Sequence, residues 1–275
     1  MPILMRAGEK GDVRDWRRRT TSEEWMRFSG VLALTAVVMA AVGTISEQTT
    51  WAFVLDAGIQ LRDLGIRMFP PDAPYALALW RPLLDTLHVA TLGTALGVVI
   101  AVPLGFLCAR PTTPSRIWVR PVALLALVTS RSVNAIIWAL MLVVLLGPGL
   151  LAGVLAIALR SVGFVGKLVY EAIEEAPTLP VTAMEATGAG RAQALAFGLV
   201  PHVLPTVAGV SIYRWEINIR EATILGLVGA GGIGVALQAS IDSLAWSRVS
   251  VILFGIVLTV LVAEVVSARL RRGLS

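Results

Sequence analysis

Long apolar runs without Asp, Glu, Lys or Arg, separated by short polar segments, dominate the 275-residue chain. The runs lie at residues 28–46, 86–109, 132–159, 192–213, 222–241 and 249–263. A helix needs about 20 apolar residues to cross a hydrocarbon core of about 30 Å. The pattern therefore predicts an all-α, polytopic membrane protein with six transmembrane helices. These predicted spans lie near residues 28–46, 84–108, 121–146, 149–170, 200–228 and 248–268.

Composition supports this class and excludes some chemistry. Hydrophobic residues make up 56% of the chain and charged residues 15%, whereas a soluble domain is about 25% charged. The single cysteine, Cys108, excludes an intramolecular disulfide, and His88 and His202 lie too far apart in sequence for metal-ligand spacing. Because the first apolar run follows a long polar segment and lacks a small-residue cleavage site, we expect a retained span rather than a signal peptide.

Basic residues cluster in alternate loops, which predicts the orientation. They are dense in the N-terminal segment 1–27, in the 109–121 loop and in the tail 269–275. The positive-inside rule makes these segments, and both termini, cytoplasmic. Residues 28–83 then comprise the first span and an extracytoplasmic segment, and residues 84–268 form the core transmembrane domain. We assign the net charge of +5 to this topology and expect no nucleic-acid partner.

Two connections between the predicted spans differ sharply in length. Gly147, Pro148 and Gly149 alone join the third and fourth spans, which predicts a tight turn. The fourth and fifth are joined by a polar stretch over residues 171–191 with helical composition, interrupted by Pro177 and Pro180. We expect it to form one or two short helices outside the bilayer and to serve as a docking element.

Charged side chains also fall inside the predicted spans, where each costs at least about 2.5 kcal/mol unless it faces protein or water. On a helical wheel Arg214, Asn218 and Glu221 share one face. Glu216 and Arg220 share another and can pair. Four arginines against two glutamates leave excess positive charge, which favours a path for an anion; the alternative is that these charges pair internally and only fix helix packing. The candidate path residues are Arg131, Arg160, Arg214, Asn218, Arg220 and Glu221.

The stretch GAGGIG has the GxGxxG spacing of a dinucleotide-binding turn. Such a site needs a strand before the glycines and an acid about 20 residues later. Here a predicted span precedes them, and Ser250 and its apolar neighbours stand at that distance. We therefore expect Gly229, Gly231, Gly232 and Gly234 to form a tight turn at the outer membrane boundary and to shape the outer end of the path.

Three segments carry a family resemblance. TAMEATGAGRAQALAFGLVPHVLP (Thr182 to Pro205) resembles the EAA loop of ABC importer permeases. RWEINIREATILGLVGAGGIG (Arg214 to Gly234) and WALMLVVLLGPGLLAGVLAIALRSVGFVGKLVYEAIEE (Trp138 to Glu175) are similar to the permease subunit of phosphonate importers, whose relatives also carry phosphite or phosphate. The resemblance covers residues 85–275. The chain departs from the family at Thr182, where Glu is usual, and at Asn134 and Ala135, where Pro and Glu are usual.

The resemblance implies a type I ABC importer permease (MetI-like) fold in a bacterial plasma membrane. It implies a homodimer, an ATP-binding subunit docked beneath each copy, and an extracytoplasmic substrate-binding protein. It also implies that residues 171–193 form the coupling loop that contacts the ATP-binding subunit. The coupling residues, which include one proline beyond that range, would be Thr182, Glu185, Ala186, Gly188, Ala189, Gln193 and Pro201. Because the chain has no GxxxxGK[ST] phosphate loop, we expect no cofactor of its own, no enzymatic activity, and ATP use by the partner.

Other classes of function remain open at this stage. Another importer cargo, such as methionine or an osmolyte, would share the EAA loop, although excess intramembrane arginine argues against a cation. A secondary transporter would show inverted repeats and broken helices at mid-membrane. A membrane enzyme would need a nucleophile with a base or a metal cluster in the bundle, which two separated histidines do not supply.

Overall fold

The computed structural model describes residues 21–273, and every regular element in that range is helical. The basic N-terminal residues from Arg6 to Arg19 and the final two residues of the tail lie outside the described part. The helices are α1 (Thr21–Gln48), α2 (Trp51–Leu55), α3 (Ala57–Met68), α4 (Ala73–Ala76), α5 (Trp80–Cys108), α6 (Val119–Ser132), α7 (Ala135–Leu146), α8 (Leu150–Glu175), α9 (Leu179–Ala186), α10 (Arg191–Gly198), α11 (Val200–Leu225), α12 (Ile233–Asp242) and α13 (Trp246–Arg272).

The chain divides into two compact units, with the boundary between Arg62 and Asp63. In the first unit, residues Trp25–Gln48 of α1 are long and apolar enough to cross a membrane. The second unit contains the other predicted spans and all the candidate path residues. This unit carries the helix packing described below.

The six predicted spans correspond to four long helices and two bent pairs. The long helices lie at Trp25–Gln48, Ala73–Cys108, Leu150–Glu175 and Trp246–Arg272. The third predicted span consists of α6 and α7, which meet at an angle of 91°, and α10 meets α11 at 52°. The fifth span begins with α11 at Val200, as predicted, and a 3-10 turn extends it to Val228.

The break in the third span has a local cause at Val133 and Asn134. Val133 is extended, with φ −91° and ψ 131°, so the helix cannot continue through it. Asn134 then caps α7, because its side-chain oxygen accepts a hydrogen bond of 3.3 Å from the backbone N–H of Ile136. The new helix therefore starts inside an otherwise apolar run.

Glycines bring α5 and α8 into close contact at the centre of the second unit. A Cβ atom at Gly93 would lie 2.7 Å from the side chain of Ile157, and one at Gly97 would lie 2.7 Å from Cβ of Ser161. Gly105 packs against Val169 in the same way. The paired positions advance together along both helices, so α5 and α8 run in the same direction. Close approach of small residues is how membrane helices gain packing energy.

The connections agree with the predicted pattern, with one addition. Residues 147–149 form a tight turn between α7 and α8. The predicted polar stretch 171–191 contains the end of α8, all of α9 and the first residue of α10. The addition is α12, a short apolar helix that follows the glycine turn. Ile233, its first residue, packs with Leu79 and Ile252 in a separate core cluster, so α12 joins the start of α13 to the region before α5.

Candidate functional site

Arg214 lies at the centre of a buried polar network between α5, α8 and α11. Its side chain is only 2% exposed. One guanidinium nitrogen, Nη2, lies 3.1 Å from Oε2 of Glu221, and Nε donates a hydrogen bond of 3.1 Å to Oγ of Ser161. The guanidinium also stands over the ring of Phe164, at 5.3 Å from its centroid. All sides of this buried cation are therefore engaged.

Glu221 is shared by a second arginine. Nε of Arg160 lies 3.2 Å from Oε1 of Glu221, while Arg214 approaches the opposite carboxylate oxygen. The Arg160 and Glu221 side chains are 29% and 19% exposed, so the network runs from a buried end at Arg214 to an open end at Arg160. One carboxylate thus pairs with two cations, so the group keeps a net positive charge.

Asn218 completes the network on the side of α5. It is fully buried, and its Nδ2 donates hydrogen bonds to Oγ1 of Thr94 at 2.7 Å and to Oγ of Ser161 at 3.0 Å. Thr94 itself donates to the carbonyl of Ala90, which fixes its hydroxyl as the acceptor for Asn218. Oδ1 of Asn218 has no hydrogen-bond partner within residues 21–273. A buried acceptor without a donor is costly, and a water molecule or ligand would relieve that cost.

Arg131 lies in the last turn of α6. Oγ of Ser130 donates to the carbonyl of Leu159 and accepts from the N–H of Gly163 at 2.8 Å, so the end of α6 packs beside the turn of α8 that holds Arg160. The Arg131 side chain is exposed, and no ion pair involves it in the described part of the chain. The N-terminus of α7, which favours negative charge, begins just after it.

Glu216 forms the second cluster that the helical wheel predicts. Its carboxylate lies 3.1 Å from Nη2 of Arg220, and 3.4 Å from Nη2 of Arg271. The pairing of Glu216 with Arg220 is confirmed. Arg271, in the last turn of α13, is an unexpected partner, and its guanidinium also stands 5.9 Å from the ring centroid of Tyr213. Arg220 therefore belongs to a separate ion cluster and does not contact Glu221.

The predicted coupling residues lie on α9, on α10 and in the turn between them, except Pro201, which lies in the first turn of α11. Gly188 ends α9 with φ +86°, a conformation that favours glycine, and a Cβ atom there would meet nothing within 4 Å. Oε1 of Gln193 accepts a hydrogen bond of 3.1 Å from the N–H of Gly190, as in a capping box. Ala189 is half-buried. The other coupling residues are exposed, namely Thr182, Glu185, Ala186, Gly188, Gln193 and Pro201.

The glycine cluster is a turn between α11 and α12, and a helix rather than a strand precedes it. Gly229, Gly231 and Gly232 all have positive φ. A Cβ atom at Gly231 would lie 2.5 Å from the side chain of Leu150, and Gly234 packs against the backbone of α11. The N–H of Ile233 donates to Oγ1 of Thr86 at 2.8 Å, so the turn is held against both α5 and α8.

Sequence reasoning missed several members of the buried network. Thr94, Ser161 and Phe164 looked like ordinary residues of apolar runs, although Ser161 directly follows Arg160 in the sequence. A hydroxyl next to an intramembrane arginine was the available signal. Arg271 was assigned to the tail by its charge, and only the packing of α13 on α11 shows its contact with Glu216.

Comparison with known proteins identifies the class of molecule. Residues 101–275 match the family described as the binding-protein-dependent transport system inner membrane component. The phosphite transport system permease protein PtxC of Stutzerimonas stutzeri is 38% identical over 90% of this chain and 90% of that protein. The phosphate-import permease protein PhnE of Mycolicibacterium smegmatis is 38% identical over 75% of this chain and 38% of that protein.

The fold agrees with that family. A chain of the MetNI methionine ABC transporter in an inward-facing conformation superposes with a TM-score of 0.62, at 22% identity, over 74% of this chain and 99% of that one. At this identity the likeness concerns the fold alone. The chain therefore belongs to the binding-protein-dependent transport inner membrane components, and it is the membrane-embedded permease subunit of an ABC transporter.

Proposed function

We propose that this permease carries phosphite, phosphonate or phosphate anions into the cytoplasm as part of an ATP-driven importer. The relatives named for phosphite and phosphate transport support this cargo class. The single observation that carries the proposal is that Arg160 and Arg214 share the one carboxylate of Glu221, which leaves excess positive charge inside the bundle. A guanidinium offers a planar fork of donors that matches phosphate-like oxygens.

Glu221 has a defined part in this mechanism. Its carboxylate acts as a tethered anion that holds the two arginines when no cargo is present. A cargo oxyanion entering at the open end near Arg160 competes with Glu221 for the same donors, and the return of Glu221 releases the cargo. The site is therefore weak, which transport requires, because an anion held tightly by unopposed arginines would not leave.

Membership of the family supports an assembly with an ATP-binding subunit and a binding protein, and we extend it as follows. Two copies of the chain form a homodimer around the path, and one ATP-binding subunit docks beneath each copy at α9 and α10. An extracytoplasmic binding protein delivers the anion, and both termini face the cytoplasm. The ATP-binding subunits supply the energy, so the permease needs no cofactor of its own and catalyses no reaction.

Substitution of Arg214 tests the cargo path. Arg214→Ala should lower the ATP-dependent uptake of the anion at least about tenfold, since a charge-assisted bidentate contact is worth roughly 1.5–3 kcal/mol. Arg214→Lys should restore only part of the uptake, because lysine supplies a point charge instead of a fork. Uptake is measured in membranes containing the whole complex, with protein level and ATP hydrolysis followed in parallel.

Arg248→Ala is the matched control for this test. Arg248 is also ion-paired, at 3.3 Å from Asp72, but it lies at the start of α13 and is not a partner of Arg214, Arg160 or Glu221. Its loss should leave uptake unchanged. Normal uptake by inserted Arg214→Ala, and also by the corresponding alanine variants of Arg131 and Arg160, would contradict the path and leave a packing role for these charges.

A further inference from the structure

A half-open cavity of about 480 Å³ lies beside the coupling helices. We call it the coupling cavity. Its floor is apolar and comes from Ile173 on α8 and from Leu195 and Leu199 at α10. Its rim carries the guanidinium groups of Arg110, Arg116 and Arg191. The volume is that of a typical ligand pocket and far exceeds what a single small oxyanion fills.

The cavity is a built feature, because three segments of chain are tied together around it. Nη2 of Arg191, at the start of α10, donates a hydrogen bond of 3.1 Å to the carbonyl of Pro111. The N–H of Arg110 donates to Oε1 of Glu174 at 3.0 Å, and Arg120 reaches the same oxygen at 3.2 Å. The loop between α5 and α6 is therefore anchored both to α8 and to α10.

The charge of the cavity is positive. Its lining contains the three rim arginines and two acids, Glu174 and Glu185. Glu174 already pairs with two arginines, with Arg110 of the rim at 3.9 Å and with Arg120, which lies outside the lining, at 3.2 Å. Arg116 forms no ion pair with any residue in the range 21–273, and its side chain is exposed. The cavity thus joins an apolar floor to a rim with unpaired guanidinium charge.

We propose that the coupling cavity receives a segment of the ATP-binding subunit in which an apolar side chain is flanked by acidic residues. The apolar side chain fills the floor, and the acidic groups pair with Arg116 and its neighbours on the rim. The 109–118 loop is then a second part of the docking surface, in addition to α9 and α10. This inference rests on the proposed function, since it takes the coupling helices to face the ATP-binding subunit.

Charge reversal at Arg116 tests the proposal in the whole complex. Arg116→Glu should weaken association with the ATP-binding subunit at least about tenfold, because like charges are brought together in the contact. Raising the ionic strength should reduce the difference between the variant and the unmodified protein, since exposed charges are screened. Affinity is measured between the permease in nanodiscs and the purified ATP-binding subunit.

A photo-reactive residue in place of Arg116 provides the direct readout. It should cross-link to an acidic segment of the ATP-binding subunit, and reversing an acid there to Arg should restore binding of Arg116→Glu. The matched control is Arg269→Glu, another exposed arginine on the side that charge distribution predicts as cytoplasmic. The control should bind normally.

The outcomes separate this inference from the proposed function. One outcome is that Gly188→Val abolishes association, while Arg116→Glu binds normally and the photo-reactive residue at position 116 yields no cross-link. The coupling helices then dock on the ATP-binding subunit, and the cavity does not take part. If neither variant weakens association, the docking of α9 and α10 is itself contradicted. A cross-link from position 116 to the binding protein or to lipid alone would also overturn the proposal.

Discussion

Glu221 is the residue on which the proposed path depends most. Two arginines share its carboxylate, and in the proposed path its position between the buried Arg214 and the more open Arg160 makes it a competitor for any anion that enters. Glu221→Gln removes that competitor and leaves both arginines in place. The variant should bind radiolabelled anion more tightly, by about tenfold or more, because a nearby unit charge is worth several kcal/mol at an effective dielectric constant near 20.

The measurement is equilibrium binding of the anion to the purified permease complex without the binding protein, together with uptake. Tighter binding should be accompanied by slower uptake, since release becomes the slow step. Glu216→Gln is the control, because Glu216 holds the separate pair of Arg220 and Arg271. Equal effects of the two substitutions on anion binding would contradict the tethered-anion role of Glu221.

The residues of the site show what sequence can and cannot predict at this scale. The helical wheel grouped Arg214 with Glu221 and Glu216 with Arg220, because all four lie on one helix whose geometry is known. The contacts of Arg214 with Ser161 and of Asn218 with Thr94 cross between helices. Their prediction would have required the register of α5, α8 and α11, which depends on glycine packing and not on local periodicity.

At the scale of elements, the turn after α9 tests how the permease docks. Gly188 has φ +86° and open space around its Cα. Asn tolerates this conformation whereas Val does not, since left-handed backbone costs ordinary residues roughly 1–2 kcal/mol. Gly188→Asn should therefore insert and fold normally, yet it should fail to couple ATP hydrolysis to uptake, because its side chain occupies the space that the partner approaches.

Gly147 supplies the matched control. It has φ +84° and equally open surroundings, but it lies in the turn between α7 and α8. Gly147→Asn should retain coupled transport. The assay compares ATP hydrolysis with uptake in the same proteoliposomes; coupled transport by Gly188→Asn would mean that the turn needs only the backbone conformation and that no close approach occurs there.

The elements themselves were largely predictable, with physical reasons for the exceptions. Long apolar runs located the spans, and Pro177 and Pro180 marked the region of the short helices. The break at Val133 was not predicted, because the third span contains neither Pro nor Gly at that point. The signal that could have revealed it was the cluster of polar residues between Ser130 and Asn134 inside a predicted span. The contact between Arg271 and Glu216 was also hidden, since it depends on how far α13 extends along α11.

Across the described residues, large apolar side chains face outwards as well as filling the core. Val144, Leu145 and Leu151 are examples of exposed apolar residues on α7 and α8. In water such a surface would be unfavourable, but in a bilayer it contacts lipid or a second subunit. The arginine network lies between α5, α8 and α11, so its charges are kept away from the hydrocarbon.

ATP hydrolysis by the reconstituted complex shows whether this permease serves an oxyanion importer. The complex contains the permease, its ATP-binding subunit and its binding protein in proteoliposomes, and each candidate cargo is added in turn. Phosphite, phosphonate or phosphate should stimulate hydrolysis and accumulate inside, whereas methionine and a quaternary amine should do neither. Stimulation and uptake with methionine or the amine, and none with any of the three oxyanions, would contradict the account.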